Sequence, residues 1–326
     1  MADTGPLLSV IITSYAKNRL PDVFDLLESL KAQIYPHLEI VFVGEREPEL
    51  CAAVAGYAQG DRKVKVLFNE GPPGATWARN LGVGAAEGEV LAFVDDDALP
   101  FPDWAEELVK TYKDPSIVGV TGPILPLWED EAMEWFPQEL DWVFGCATWS
   151  GITETREVRS VNGTNASFRR QALALAGPYS AALGPRKADR KEWSEFGEET
   201  ELSLRVTQKT GKRIVHNAKV RVYHRVPREK FRWGFLAQRA YQVGRTRRLI
   251  ERLGRRQPTD ILSTERQLLR RILLGLIPGT VKRLPTRPVF AGWRLAVTGY
   301  VLFFVALGYY AYLVRRQALP AQEVNS

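Results

Sequence analysis

Three aspartates in a row, Asp95, Asp96 and Asp97, follow directly on the apolar run Val90-Leu91-Ala92-Phe93-Val94. Adjacent carboxylates repel, and where they are partly removed from water the repulsion raises their pKa values. A cation would offset it. Carboxylate oxygens suit hard divalent ions such as Mg2+ or Mn2+. Magnesium takes one or two protein carboxylates and completes its shell with water and phosphate oxygens. On an extended chain Asp95 and Asp97 face one side and Asp96 the other. A DxD pair holding a metal against a diphosphate accounts for the cluster. Taken alone, the triplet also fits a calcium site or a solvated turn.

The elements that must hold these carboxylates can be read in order. Leu7 to Thr13 is a short β-rich run and Asp22 to Gln33 has helical periodicity. Glu39 to Val43 reads as a strand, Pro48 to Ala58 as a helix and Val64 to Phe68 as a third strand. A Gly71-Pro72-Pro73-Gly74 turn leads into a helix over Ala75 to Ala86, and Glu89 to Val94 is the fourth strand. Strands alternating with helices argue a doubly wound, mostly parallel α/β sheet. Ligands of such sheets bind beyond the carboxyl ends of the strands, and the aspartates stand at one of those ends.

The second half is less regular. Residues 123 to 160 contain Trp128, Trp135, Trp142 and Trp149, most of them expected in the core, with an acceptor platform as the functional alternative. Thr164 to Phe168 reads as a strand, Arg169 to Ala176 as a helix, and the polar stretch Ala182 to Glu195 as a mobile loop. Glu199 to Lys209 is helical by pattern, Val220 to His224 a strand, and Phe231 to Leu253 a long basic helix.

The 326-residue chain is long enough for one large domain or two ordinary ones, and its composition excludes a disordered protein. Cys51 and Cys146 are its two cysteines, which excludes a disulfide-built scaffold and fits a reducing compartment. Charge is divided unevenly. Residues 205 to 294 carry 24 Lys/Arg against 4 Asp/Glu, whereas residues 1 to 204 carry 18 against 33. The basic half calls for an anionic surface, either nucleic acid or phospholipid. The tail decides for lipid. Leu295 to Val314 is 20 residues without a charge, with tyrosines toward its ends and arginines at both flanks. That is the length of a membrane span. Upstream, Arg266 to Leu284 alternates apolar and basic residues at helical spacing, with Pro278 expected to interrupt it; it reads as an amphipathic helix lying among anionic head groups. No nucleic-acid partner is expected. MADTGPLLSV at the N-terminus has no basic region followed by an apolar stretch, so no signal peptide is expected.

The stretch GATWARNLGVGAAEGEVLAFVDDD from Gly74 to Asp97, together with SVIITSY from Ser9 to Tyr15, resembles the inverting glycosyltransferases of family 2, which have the GT-A fold. Arg79, Asn80, Gly82, Ala86, Gly88, Glu89, Asp95 and Asp97 fall at the family's motif positions. The likeness continues through VNGTNASFRR (161 to 170) and FGEETELSLR (196 to 205), covering about residues 7 to 225. It implies a nucleotide-diphosphate sugar donor and Mn2+ or Mg2+ as cofactor. Asp97 would hold the metal, and Asp95 the metal or the nucleotide ribose. The donor site implied is Thr13, Tyr15, Glu45, Arg79, Asp95, Asp96 and Asn165, with Asn165 at the donor-sugar or acceptor pocket. Glu45 stands where the family usually has an aspartate pair.

Inversion needs a base that takes the proton of the attacking hydroxyl. The resemblance places it in Gly197-Glu198-Glu199-Thr200-Glu201-Leu202, at the position of Glu199, where the family has aspartate. That departure leaves Glu198 and Glu199 both open. His224 is implied as a metal or diphosphate ligand. WGFLAQRAYQVGRTRR, from Trp233 to Arg248, resembles the membrane-proximal segment of family members acting on polyprenyl- or dolichyl-linked acceptors, with Arg239 and Arg245 toward the lipid phosphate. The expected organisation is a GT-A domain over 1-225 (halves 1-122 and 123-225), basic membrane-proximal helices over 226-290, and a transmembrane helix with a short tail over 291-326. The expected location is the cell membrane, single-pass or monotopic, with the catalytic domain cytoplasmic. The expected activity is metal-dependent inverting transfer to a lipid-linked or membrane-surface acceptor. A membrane-tethered nucleotide-sugar-binding scaffold without turnover is the alternative, supported by the departures at Glu45 and Glu199. A phosphohydrolase built on the aspartates is disfavoured, because Asp95-Asp96-Asp97-Ala98-Leu99 lacks the threonine that chemistry needs.

Overall fold

Val10, Ile11 and Ile12 are β-branched or apolar throughout, and β1 (Leu8–Ser14) buries them completely at the centre of the main sheet. α1 (Leu20–Lys31) lays Val23, Leu26, Leu27 and Leu30 against the core, a spacing that puts all four on one helical face. β2 (Leu38–Glu45), α2 (Pro48–Tyr57), β3 (Val64–Asn69), α3 (Ala75–Ala85) and β4 (Val90–Asp95) follow in the alternation expected. β1 pairs in parallel with β2 on one side and β4 on the other, and β2 pairs in parallel with β3. Strand order therefore reverses between β1 and β4, which is the switch point where α/β sheets open a crevice. Thr13 and Asp95 lie side by side there in register.

The computed structural model describes residues 5–61, 63–148, 154–181, 183, 197–253 and 262–314. The chain forms two compact units, Met1–Glu229 and Lys230–Ser326.

The rest of the first unit extends the sheet with mixed polarity. Its elements are β5 (Ala98–Pro100), α4 (Trp104–Thr111), β6 (Ile117–Thr121), β7 (Ile124–Trp128), β8 (Arg156–Val158), β9 (Asn165–Arg169), α5 (Arg170–Ala176), α6 (Glu198–Thr210), β10 (Arg213–His216) and β11 (Val222–Val226). The eight-stranded order is β3-β2-β1-β4-β9-β6-β10-β8, with β9 antiparallel to both β4 and β6. A separate sheet joins β5, β11 and β7. Of these strands the sequence showed only β9 and β11. The others are three to five residues long, and β5 contains Pro100 and β6 Gly119, so neither periodicity nor composition marks them. Ile11, Leu91, Phe93, Phe168, Leu202 and Val206 form the shared core beneath α6. Cys51 and Cys146 are buried, and neither is part of a disulfide. Trp128, Trp135 and Trp142 are half-buried rather than core residues as expected; Trp128 meets the buried Phe144 edge to face, and Trp149 lies outside the described residues. So does the Ala182 to Glu195 loop, apart from Leu183.

The second unit contains α7 (Trp233–Leu253), α8 (Ser263–Arg271), α9 (Ile277–Val281) and α10 (Pro288–Val314). Pro278 does not interrupt the helical path as expected. A π-helical turn, Ile272–Leu276, links α8 to α9, and Pro278 follows directly after it in α9. α10 contains a 24-residue stretch, Pro288–Ala311, long and apolar enough to cross a membrane. It packs along α7. Trp233 meets Trp293 and Tyr300, Gly244 faces the Val305 carbonyl, and the Tyr309 hydroxyl bonds Glu251.

Candidate active site

β4 delivers Asp95 to the crevice, and the turn Asp96-Asp97 folds the chain back into β5. β5 pairs antiparallel with β11, placing Ala98 opposite His224. The Arg225 amide donates to the Asp97 carbonyl at 3.0 Å, so this small sheet locks the aspartate turn to the histidine strand. His224 Nε2 lies 3.2 Å from Asp97 Oδ1. Ligand atoms of Asp95, Asp97 and His224 all fall within 4.8 Å of one another. Two carboxylates and one imidazole converging on one point form a donor set that fits Mn2+, which accepts both oxygen and nitrogen. Behind the imidazole, Cys146 Sγ approaches Nδ1 at 3.8 Å. Gly145, at φ 87°, lies flat against the ring, and a Cβ there would come within 3.1 Å of Cε1. The loop after Phe144 thus orients the ring, as residues outside a ligand shell commonly do.

The three aspartates have different surroundings. Asp95 Oδ2 accepts from Thr164 Oγ1 at 2.6 Å. Asp96 lies outside the Asp95–Asp97–His224 cluster: Ser14 Oγ donates to its Oδ2 at 2.5 Å and Arg19 Nη2 to its Oδ1 at 2.6 Å. Arg19 Nη2 also lies 2.8 Å from Asp97 Oδ2. Burial works against the guanidinium's charge, but its bonds and charge contacts with Asp96 and Asp97 outweigh that and raise its pKa further.

Arg79 is the second organising cation. α3 points it inward, where it is buried and ties Asp95 to α6. Its Nη1 is 2.8 Å from Glu199 Oε1 and 3.4 Å from Glu198 Oε1, and its Nη2 is 3.6 Å from Asp95 Oδ1. The neighbouring Asn80 clasps the Tyr179 backbone with both halves of its amide, at 3.0 and 2.9 Å. That clasp holds the Tyr179 ring 5.5 Å from the Arg79 guanidinium and edge-on to Phe93. The A-R-N triplet therefore packs with its alanine, reaches the site with its arginine and fixes the arginine's support with its asparagine.

The two glutamates open α6, where the helix dipole favours negative charge. Glu198 is almost wholly buried, and its Oε2 accepts from the Gly197 amide at 3.0 Å. Burial first, and the charge of Glu199 second, push its pKa up to about 7 against the pull of Arg79. Glu199 retains 17% side-chain exposure. It sits in a notch that only glycine leaves open: a Cβ on Gly163 would lie 2.3 Å from Glu199 Oε1.

Other residues picked out in the sequence are placed as follows. Thr13 is half-buried beside Asp95, and Tyr15 follows β1. Glu45 is buried and accepts from the Gly74 amide at 2.7 Å, bracing the turn that starts α3. Asn165 was expected to line the donor-sugar or acceptor pocket, and the structure corrects this. Its side chain is only 1% exposed as a residue, and its amide is spent on Trp104 Nε1 and the Val220 carbonyl at 3.0 and 2.7 Å. It braces the wall behind the crevice. Arg239 and Arg245 lie half-buried on α7 in the second unit. Sequence reading missed Arg19, Thr164, Tyr179 and Cys146. Arg19 and Tyr179 carried no local signal; Thr164 and Cys146 lay in or beside stretches already singled out, but their partners are far away in the chain.

A mostly parallel sheet with a switch-point crevice and an acidic strand end defines a glycosyltransferase of GT-A architecture. The chain belongs to glycosyl transferase family 2, whose pattern matches residues 9–175. It is 29% identical over 303 residues to a glucosyl-dolichyl phosphate glucuronosyltransferase of Haloferax volcanii, covering 93% of this chain and 94% of that protein. It is 27% identical over 252 residues to the succinoglycan biosynthesis protein ExoM of Rhizobium meliloti, covering 74% and 76%. Among solved structures, it shares its fold with a mannosyltransferase of Pyrobaculum calidifontis in complex with GDP-Man and Mn2+. The TM-score is 0.61 at 17% identity, over 94% of this chain and 87% of that one.

Proposed function

We propose that the chain transfers a sugar, with inversion, from a nucleotide-diphosphate sugar to a dolichyl- or polyprenyl-linked acceptor at a membrane surface, and that it needs a divalent cation to do so. The observation that carries this reading is the convergence of Asp95, Asp97 and His224 at the switch-point crevice, tied through Arg79 to Glu199. The relative that acts on a glucosyl-dolichyl phosphate, similar over nearly the whole chain, supports the acceptor class. The neighbour bound to GDP-Man and Mn2+ supports the donor class and the ion.

In this reading Asp95, Asp97 and His224 hold Mn2+ or Mg2+. When bound, the ion supplies Lewis-acid stabilisation of the charge growing on the departing diphosphate. Thr13 and Tyr15 line the nucleotide side of the crevice. Glu199 is the base: it is the more exposed of the two glutamates, and Arg79 holds it on a defined line. It accepts the proton of the acceptor hydroxyl as that oxygen attacks the anomeric carbon. Glu198, buried and bonded to its own helix start, fixes the geometry of that turn. Residues 1-225 would form the catalytic domain. Arg239 and Arg245 on α7 and the basic surface of α8 would attract the lipid phosphate and anionic head groups, with the catalytic domain on the cytoplasmic side, where nucleotide sugars are found.

The test is transfer of labelled sugar from a panel of nucleotide sugars to dolichyl and polyprenyl phosphates, with and without a glycosyl residue already attached, in Mn2+ or in EDTA. The expected result is Mn2+-dependent transfer to one lipid acceptor, lost in EDTA and in Asp97→Ala. Transfer unchanged in EDTA overturns the metal requirement. Nucleotide-sugar binding without turnover on any acceptor favours the scaffold reading instead.

A further inference from the structure

Arg19 stands in a short turn after β1, and nothing in its local sequence marks it as part of a site. In the fold it is wedged between two members of the aspartate triplet. Its Nη2 and Nε are 2.6 and 3.2 Å from Asp96 Oδ1, and Nη2 is 2.8 Å from Asp97 Oδ2. The arrangement is anchored at every point. Ser14 takes the other oxygen of Asp96 at 2.5 Å, the Arg19 amide bonds the Ala16 carbonyl at 3.0 Å, and Asp22 flanks the guanidinium at 3.7 Å. Both Asp96 and Asp97 are buried, while Arg19 is about one-quarter exposed.

The division of oxygens on Asp97 is the informative detail. Arg19 engages Oδ2, whereas Oδ1 is the atom that faces His224. Nη2 reaches both carboxylates and Nε adds a second bond to Asp96, so the rigid plane of the guanidinium fixes where Nη2 meets Asp97; an ammonium on a flexible stem can bridge two carboxylates but does not fix their planes. Asp96, which does not belong to the Asp95–Asp97–His224 cluster, then has a clear use. It holds the arginine that holds Asp97. The third aspartate of the triplet is a tether for a cation.

We propose that Arg19 is a positioning residue for the metal site: bridged to Asp96, it grips the outer oxygen of Asp97 and so presents Oδ1 toward the ion. This rests on the reading of Asp95, Asp97 and His224 as metal ligands. It makes a signed statement. If Arg19 positions Asp97, its removal weakens metal binding. If it competes with the ion for Asp97, its removal tightens binding.

The experiment is a Mn2+ titration of the full chain, with free Mn2+ followed by electron paramagnetic resonance and without donor or acceptor. Wild type, Arg19→Ala, Arg19→Lys and Asp97→Ala are compared. Residues that orient metal ligands typically govern metal affinity by about 10- to 100-fold. The Kd for Mn2+ is therefore expected to rise by about that factor in Arg19→Ala. Arg19→Lys should recover part of the loss, because it restores the charge without the fork. Unchanged or tighter binding in Arg19→Ala overturns the proposal. If Arg19→Ala does not fold, Arg19→Lys decides: a Kd equal to wild type overturns it, and a measurable rise supports it. A wild type that binds no more Mn2+ than Asp97→Ala overturns the metal reading itself, an outcome distinct from failure of the role given to Arg19.

Discussion

Arginine works in two settings in the two units, although α7 of the second unit also carries close pairs, Arg247 with Glu265 and Arg248 with Glu251. In the first, Arg19 and Arg79 are each surrounded by carboxylates at short, fixed distances, and each joins elements far apart in the chain. In the second, Arg270, Arg271, Lys282, Arg283 and Arg287 are exposed along the α8–α9 region, next to exposed Leu273, Leu274, Val281 and Leu284. Charge buried against a partner acts through geometry and is little screened by salt. Charge on a surface acts through the summed field and fades with ionic strength. The first unit should therefore respond sharply to single substitutions, and the second gradually, residue by residue.

The largest effect should come from the metal cluster. Asp97→Ala removes a ligand and should lower transfer by about a hundredfold or more, since metal stabilisation of a leaving group is worth several kcal/mol. Labelled-sugar transfer at saturating Mn2+ measures it, and residual activity near wild type would break the contrast between the units.

Next is the base. Glu199→Gln should cut kcat by about 10²-fold or more while leaving KM for the donor nearly unchanged, as loss of a general base does. Glu198→Gln should do much less to kcat. The reverse ranking would exchange their roles.

A smaller loss is expected for Gly163→Ala. Its methyl group needs the space that Glu199 Oε1 occupies, and displacing a reacting group by about 1 Å costs up to about 10²-fold. Binding of Mn2+ should be retained, which separates displacement of the base from damage to the cluster.

A pH effect follows from Glu198. Its pKa rises from 4.5 to about 7 on folding. The folded state thus holds the proton more tightly than the unfolded chain does. The stability this gives is complete below pH 4.5, declines as pH rises, and is gone above about pH 7. Glu198→Gln should flatten that slope in thermal melts recorded across the window. An equal slope in both proteins would assign the shift elsewhere.

The gentlest effects belong to the second unit. Each arginine removed from α8 should weaken binding to vesicles with anionic lipid by about 1 kcal/mol, roughly fivefold in partitioning, at low salt. Raising the salt should erase the difference. A single arginine whose loss abolished binding would show that this unit too works by fixed geometry.

Much of the first half was legible because strong local signals agreed. The four strands β1 to β4 and their helices are carried by continuous apolar runs broken by turn residues, and each boundary fell within a few residues of its expected place. The aspartate turn declared itself by charge. Short strands were not legible: β5 is three residues including a proline, and it is held by pairing with β11 rather than by propensity. The side chain of Asn165 looked available in the sequence and is consumed by Trp104 and Val220, which lie far from it in the chain. Pro278 looked like a break, and a π turn absorbed it.

What the amino-acid order determined by itself was the inventory. It specified an alternating α/β half, an acidic strand end, an acidic helix start, and a basic, apolar C-terminal region, because apolar periodicity and charge density are local quantities. What only the tertiary structure decided was the pairing. β5 meeting β11 sets His224 beside Asp97, Arg79 joins Asp95 to Glu199, and Arg19 ties Asp96 to Asp97. Each of those contacts depends on where distant backbone segments come to rest, and no window of sequence contains both partners.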